Sequence, residues 1–526
     1  TLDTNGNAKK VTLTNTTALT IPSHNTLTIV DEINIGANAN FTIQDSGSLL
    51  QTNNTTNTGS MTFIRNAKPM KRYDFTYWSS PVAAQNLDAV SPMTLFDKYF
   101  SWNPITGTWI THSTNTVIMQ VARGYIIRAP QNFSVTTPAN FTANFIGTPN
   151  NGEISFADFH GSSTSQVWNL IGNPYPSAID VNLFIDDADN TEVGGSIYLW
   201  THNTPALDNG SGTFSYTSHD YAVYNRSGGI ATAAPNDPND TTDEDDNNSV
   251  PINGHIAAGQ SFFIRGLATG TVKFKNSMRI AGNNTNFYKP GTSDPVENWQ
   301  TTGKHRYWLN LRNSQGAFNQ ALVGYIEGAT NDIDRLYDAE LLGGNYVTIY
   351  SLLDQNKLTI QGKALPFDNT DVVPLGYKVT IAGTFNIILG SFDGLFEGQD
   401  IFLKDNLLNT THNLKDGAYS FTSAIGTFNS RFEIVYQNET LGINNPEINP
   451  ESILIYKNSD STIAINSGFM VMDEIRVYDI TGRLLTYANK VNRTEAIIED
   501  LPTTHQVLIV DVLTVEGKKM VKKIIF

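Results

Sequence analysis

Apolar residues in the first 50 positions recur as short clusters beginning at Val11, Leu19, Leu27, Ile33, Phe41 and Leu49, apolar-x-apolar in all but the last, and separated by Asn, Thr, Ser and Gly. The steps of 8, 8, 6, 8 and 8 place Val11 and Ile33, Leu19 and Phe41, and Leu27 and Leu49 each 22 residues apart. Three short strands per 22 residues predict rungs of a parallel β-helix over residues 1–60. An irregular sandwich edge is the alternative. So few rungs bury little on their own, so further rungs upstream or a cap from the next domain is expected.

The pattern then changes. From 61 to 164 short aromatic strands are predicted at Met61 to Arg65, Tyr73 to Trp78, Lys98 to Trp102, Gly124 to Ala129 and Phe141 to Phe145, punctuated by Pro and Gly. A second β domain, 165–290, repeats the style at Val167 to Ile171, Ser196 to Trp200, Tyr221 to Tyr224, Gln260 to Ile264 and Thr271 to Phe274, and carries an acidic loop over 235–249. Residues 291–303 read as a linker and 304–436 as a β-sandwich. Helical patterning is sparse, and Asp332 to Leu341 is the best short-helix candidate. A polar, proline-containing linker, 437–450, precedes a module over 451–526. There, period-two alternation through Ile453/Ile455, Ile463/Ile465, Ile475/Val477, Ala496/Ile498, Val507/Ile509 and Val521/Ile525 predicts an immunoglobulin-like β-sandwich. The fold class is thus all-β and multidomain: a short parallel solenoid stem, aromatic-rich antiparallel domains, a β-sandwich and a terminal sandwich.

Composition agrees with this reading. Only 16% of residues are charged and 10% are aromatic, a palette suited to strands and turns. Lys and Arg number 34 against 50 Asp and Glu, a net charge of −16, which disfavours nucleic acid as a partner. Cysteine is absent, so disulfides and thiol chemistry are excluded. No apolar run reaches the length of a transmembrane segment.

Catalytic signatures are missing. The nine histidines show no H-E-x-x-H spacing, and Gly259-Gln260-Ser261-Phe262-Phe263 lacks the last glycine of a nucleophile elbow. No cofactor is required on this reading. Calcium suits carboxylate-bearing β loops, and the candidates are Asp186, Asp187 and Asp189; Asp332, Asp334 and Asp338; and Asp240, Asp243, Asp245 and Asp246. Against each stands a plain solvated acidic loop. Tyr73, Phe75, Tyr77, Trp78, Trp102, Trp109, Trp168, Trp200 and Trp308 offer flat rings for glycan stacking, with Tyr77, Trp78 and Trp200 as the chosen candidates, and core packing is the alternative for each.

The terminal module carries a more specific pattern. Its order, IYKNSDSTIAINSG, IRVYDITGRLL, IIEDLP and VEGKKMVKKIIF, resembles the C-terminal sorting domain of type IX secretion cargo in Bacteroidetes, in a variant form without the Tyr-Pro-Asn-Pro opening. Blocks upstream, KRYDFTYWSSPV, NLIGNPYPSAID, YLWTHNT and AAGQSFFIRG, resemble adhesin-like surface proteins of gliding flavobacteria. The resemblance implies export by the type IX secretion system. The module would be recognised by the outer-membrane translocon barrel and a PorV-type shuttle barrel, and the sorting residues would be Asp479, Gly482, Arg483, Gly517, Lys522 and Lys523. It also implies a secreted or cell-surface location outside the outer membrane of a Gram-negative bacterium. The expected function is non-enzymatic adhesion, with an extracellular glycan or surface ligand as partner. A polysaccharide-active enzyme or carbohydrate-binding module exported by the same route is the alternative.

Overall fold

The computed structural model describes all residues except 114–115, 203–205, 211–213, 233–250, 286–302, 344–345, 438–452, 460–461, 469, 502–505 and 516. The acidic loop and most of both linkers therefore lie outside the described residues. The chain divides into two units, Thr1–Trp299 with Ile333–Leu342, and Gln300–Asp332 with Gly343–Phe526. Strand dominates both, so the fold is all-β.

The first unit opens as a parallel β-helix. Val11 pairs with Ile33, Leu19 with Phe41 and Leu27 with Leu49, all in parallel register, which is the 22-residue offset of the sequence pattern. A third coil is begun by the bridge from Asn34 to Thr58 and by parallel pairing of Thr42 and Ile43 with Thr62 and Phe63. Leu27, Ile29, Ile33, Ile35, Phe41, Ile43 and Leu49 fill the interior, each contributing about 1.5–3 kcal/mol by burial. Inside, Gln51 and Asn57 exchange amide hydrogen bonds of 2.8 Å, and Asn57 also accepts from the Ile33 N–H at 2.9 Å. A buried polar pair is tolerable because its groups are satisfied.

Downstream strands and side chains close the solenoid. Strand Met61–Met70 pairs in parallel with Asn40–Ile43 and antiparallel with Ala139–Pro149, carrying one sheet from the coil into the next layer. Further along, the buried Arg279 guanidinium donates to Leu49 O, Ser177 Oγ, Asn151 Oδ1 and Asn276 Oδ1 and lies 4.7 Å from the Tyr175 ring. Asn284 Nδ2 donates to Gly47 O at 2.7 Å and to Ser48 Oγ at 2.8 Å. Residues from the 165–290 stretch thus bond the second coil at Gly47, Ser48 and Leu49.

Two larger antiparallel sheets, with smaller two- and three-stranded ones beside them, follow in the unit. One has strand order Thr108–Thr111, Tyr99–Asn103, Tyr125–Arg128, Phe75–Trp78; the other runs Trp168–Gly172, Ser261–Gly266, Val193–Trp200, Tyr221–Asn225, Gly228–Gly229. A one-turn helix, Val181–Ile185, is capped by the Asp180 carboxylate, which accepts from the N–H groups of Asn182 and Leu183. The predicted helix over Asp332 to Leu341 does not form. Turns and the short strand Ala339–Glu340 stand there instead, because Ile333–Leu342 spends its polar groups on tertiary partners. Arg335 donates to the carbonyls of Ile185, Asn190 and Val193, Ser196 Oγ donates to Asp338 O, and Tyr198 Oη donates to Glu340 O. Local propensity yields to such packing.

In the second unit, ten strands form one hydrogen-bonded path, with Val347–Leu353 and Asn356–Lys363 at its middle and a parallel step from Phe318–Ile326 to Asn356–Lys363. Tyr307, Val323, Ile349, Tyr377, Phe385 and Phe432 share its core. Two buried ion pairs pin it: Arg306 Nη2 to Asp393 Oδ2 at 2.6 Å, and Arg431 Nη2 to Asp405 Oδ2 at 2.9 Å. The terminal module is a sandwich of a three-stranded sheet, Leu454–Ser459, Thr462–Asn466, Glu495–Ile498, and a four-stranded sheet, Leu484–Arg493, Met472–Asp479, Val507–Thr514, Lys519–Ile525. Ile455, Ile463, Ile465, Ile475, Val477, Leu508, Val510 and Val512 form its core.

Candidate functional site

Alternation along strand Phe75–Trp78 sends neighbouring rings to opposite faces. Trp78 turns into the main core beside Phe145 at 5.7 Å and Phe141 at 6.2 Å. Tyr77 turns the other way, onto the face that also carries Trp102 and its cross-strand partner Trp109. The second sheet meets this face with Trp168, Phe263, Tyr198, Trp200 and Tyr221, which share one side by register.

The result is a continuous aromatic cluster. Tyr77 stacks on Trp200 with centroids 5.6 Å apart, and its hydroxyl lies 2.5 Å from that of Tyr221. Phe263 forms the hub, 5.6 Å from Trp102, 6.0 Å from Trp109 and 6.4 Å from Trp168. Burial, reinforced by the neighbouring Tyr221, pushes the Tyr77 hydroxyl well above its ordinary range. This hydroxyl stays protonated. Beneath Trp200, His202 Nε2 lies 3.0 Å from Asp74 Oδ1, and Nδ1 accepts from the Phe75 N–H. The Nδ1 of this buried ring is thereby hydrogen-bonded, while Nε2 lies close to Asp74 without a well-aligned hydrogen bond.

Exposure separates the cluster into floor and rim. Tyr77 is 5%, Trp78 1% and Trp200 7% exposed, so the three rings chosen for glycan stacking lie inside, because the two sheets close over one face and the main core over the other. Trp109 is 38% exposed on an edge strand, with Trp102, Trp168 and Tyr221 half-buried beside the floor. A hint was available for Trp109: it sits in the hairpin TGTWITH, where small polar neighbours leave an aromatic ring without an apolar strand around it.

The candidate calcium carboxylates are distributed differently. Asp187 and Asp189 both pair with Lys275 Nζ, at 2.6 and 2.7 Å, and Asp189 also with Lys273, while Asp186 pairs with Arg226. These salt bridges hold the Asp189 carboxyl below its ordinary range, the Lys275 bond foremost. In the other set, Asp338 Oδ2 accepts from the Asp334 N–H at 2.7 Å and Asp332 is exposed. Among the described residues no three acidic or histidine side chains converge to hold a metal ion. Asp240, Asp243, Asp245 and Asp246 lie outside the described residues.

In the terminal module the sorting residues fall into two kinds. Asp479 Oδ1 accepts from Thr481 N–H and O–H and from Arg483 N–H, at 2.9, 2.6 and 3.0 Å, and Oδ2 accepts from Arg483 Nε at 3.0 Å. Gly482 closes this turn at φ +84°, a region L side chains rarely adopt. The clamp leaves the Arg483 side chain 74% exposed. Gly517, at φ +80°, turns the last hairpin. Lys522 donates to Ile453 O at 2.8 Å, fastening the terminal strand to the first one, whereas Lys523 alternates to the outer face and is exposed.

Residues 1–436 match a family described as a domain of unknown function, DUF8693, and residues 441–526 match a second, DUF8694. No curated protein matches in sequence. Among solved structures, the central fibronectin-III array of RIM-binding protein is similar at 12% identity over 37% of this chain and 88% of that one, with a TM-score of 0.12. The BSP domain of a biofilm associated protein is similar at 12% identity over 86% of this chain and 90% of that one, with a TM-score of 0.18. At these scores neither likeness bears on fold or function. Among the described residues no helix is long and apolar enough to cross a membrane.

Proposed function

The chain belongs to the DUF8693 family, and from that premise we propose that it is a secreted or cell-surface protein that acts by binding rather than catalysis. Its terminal sandwich would deliver it across the outer membrane by the type IX route. The observation that carries this reading is the turn at Asp479 to Arg483. One carboxylate accepts four hydrogen bonds and holds an arginine outward, so the motif presents a fixed cation rather than a loose loop. Arg483 and Lys523 would face the translocon barrel and the PorV-type shuttle barrel, while Asp479, Gly482, Gly517 and Lys522 keep the module in shape for them. Upstream, an aromatic cluster with a rim of partly open rings supports adhesion to a surface or glycan, since such rings bury large area at little entropic cost.

Fractionation in a flavobacterial host tests the delivery. The intact chain is expected in the medium or on the surface, and a chain stopped after Pro450 in the periplasm. Equal export of both forms would overturn the sorting role.

A further inference from the structure

The hydrogen-bonding of the indoles divides the aromatic cluster more sharply than burial does. Trp102 Nε1 donates to Trp168 O at 2.8 Å and Trp200 Nε1 to Phe75 O at 3.1 Å. These two rings are committed to the scaffold. Trp109 and Trp168 have no acceptor for their N–H groups among the described residues, and both are reached by solvent. Nor is either stacked in parallel by a neighbour: Trp102, Phe263 and Tyr77 stand at 76°, 71° and 84° to Trp109, and Tyr198 and Phe263 at 88° and 86° to Trp168. Both rings contact the buried Phe263, at 6.0 Å from Trp109 and 6.4 Å from Trp168.

We propose that Trp109 and Trp168 form a two-ring binding site for a neutral oligosaccharide. The C–H-rich face of a pyranose carries partial positive charge and complements the negative face of an indole, while each free N–H can donate to a sugar hydroxyl. The overall charge bears on the class of glycan. Upstream of Glu451 there are 25 basic against 40 acidic residues, so the long-range field of the chain opposes the approach of an acidic polysaccharide and not that of a neutral one. The site specifies the ligand of the binding role proposed above, and it is independent of how the chain reaches the surface.

The test uses the purified full chain, with cellohexaose and chitohexaose as neutral probes and oligogalacturonate as the acidic one, followed by tryptophan fluorescence and calorimetry. At least one neutral hexasaccharide is expected to bind, and W109A and W168A each to weaken it about ten-fold or more, the loss expected of a central aromatic contact. A thermal melt of W109A, whose ring is on the rim, shows that the fold survives the substitution. Failure of both neutral probes to bind, equal binding by W109A, or binding of oligogalacturonate alone would overturn the site. None of these outcomes touches the export reading, which is scored by fractionation.

Discussion

Asp158 ends strand Ile154–Asp158 with only 3% of its surface exposed. Burial lifts its carboxyl to about 6, the N–H groups of Asp158 and Gly270 opposing the rise and Glu192 adding to it. The fold therefore prefers the neutral acid. At neutral pH the ionised group burdens the folded state; as pH falls from about 6 towards the ordinary value of 3.8 that burden disappears. D158N is expected to raise the melting temperature at neutral pH, with the gain shrinking through this window and vanishing below it. Thermal melts of both proteins across the range check the sign, and a pH-independent gain would contradict it. Asp479 behaves oppositely. The Thr481 hydroxyl first, then the Arg483 N–H, hold its carboxyl below 3.8, so its contribution is present above that value and lost as acid titrates the folded turn.

Among the elements, the solenoid depends on side chains far from it in sequence. Arg279→Ala removes the donor from the acceptors on Leu49, Ser177 and Asn151, while Asn276 Oδ1 keeps the Gly152 N–H, at about 1–3 kcal/mol for each orphaned acceptor that water does not reach. Hydrogen exchange should show faster opening of residues 18–51, with residues 453–526 unchanged. The rungs themselves were legible because an apolar interior repeats every coil, and Val11, Ile33 and their counterparts fall where the spacing put them. Arg279 was not, since nothing in its neighbourhood marks a partner 230 residues away. Two-faced burial hid more. Tyr77 and Trp78 both sit inside because each side of their strand is covered, whereas the pattern of Val507, Ile509, Val521 and Ile525 marks the outer face of the last strands, the core side being Leu508, Val510, Val512 and Met520. When both faces are apolar, alternation gives the period but not the direction. Trp109 and Trp168 were legible as aromatic residues, and their open N–H groups only from the fold.

At the scale of the whole molecule, the chain order and the structural units do not coincide. Residues 333–342 belong to the first unit although they come after the opening strands of the second. Replacing them by a Gly-Ser stretch of equal length should remove the donor from the carbonyls of Ile185, Asn190 and Val193. Exchange at residues 185–198 would then accelerate, and unchanged protection there would show that the segment is merely laid on the surface.

This segment also sets a timetable. A polypeptide made or threaded from its N-terminus cannot finish its first unit when residue 299 appears, since Arg335 and Tyr337, which completes a bond from Ser227, have yet to arrive. Until some forty further residues emerge, the early part waits with backbone carbonyls exposed to water. Folding is thus bound to passage of the later sequence, which keeps the nascent chain open for longer than its first sheets would require.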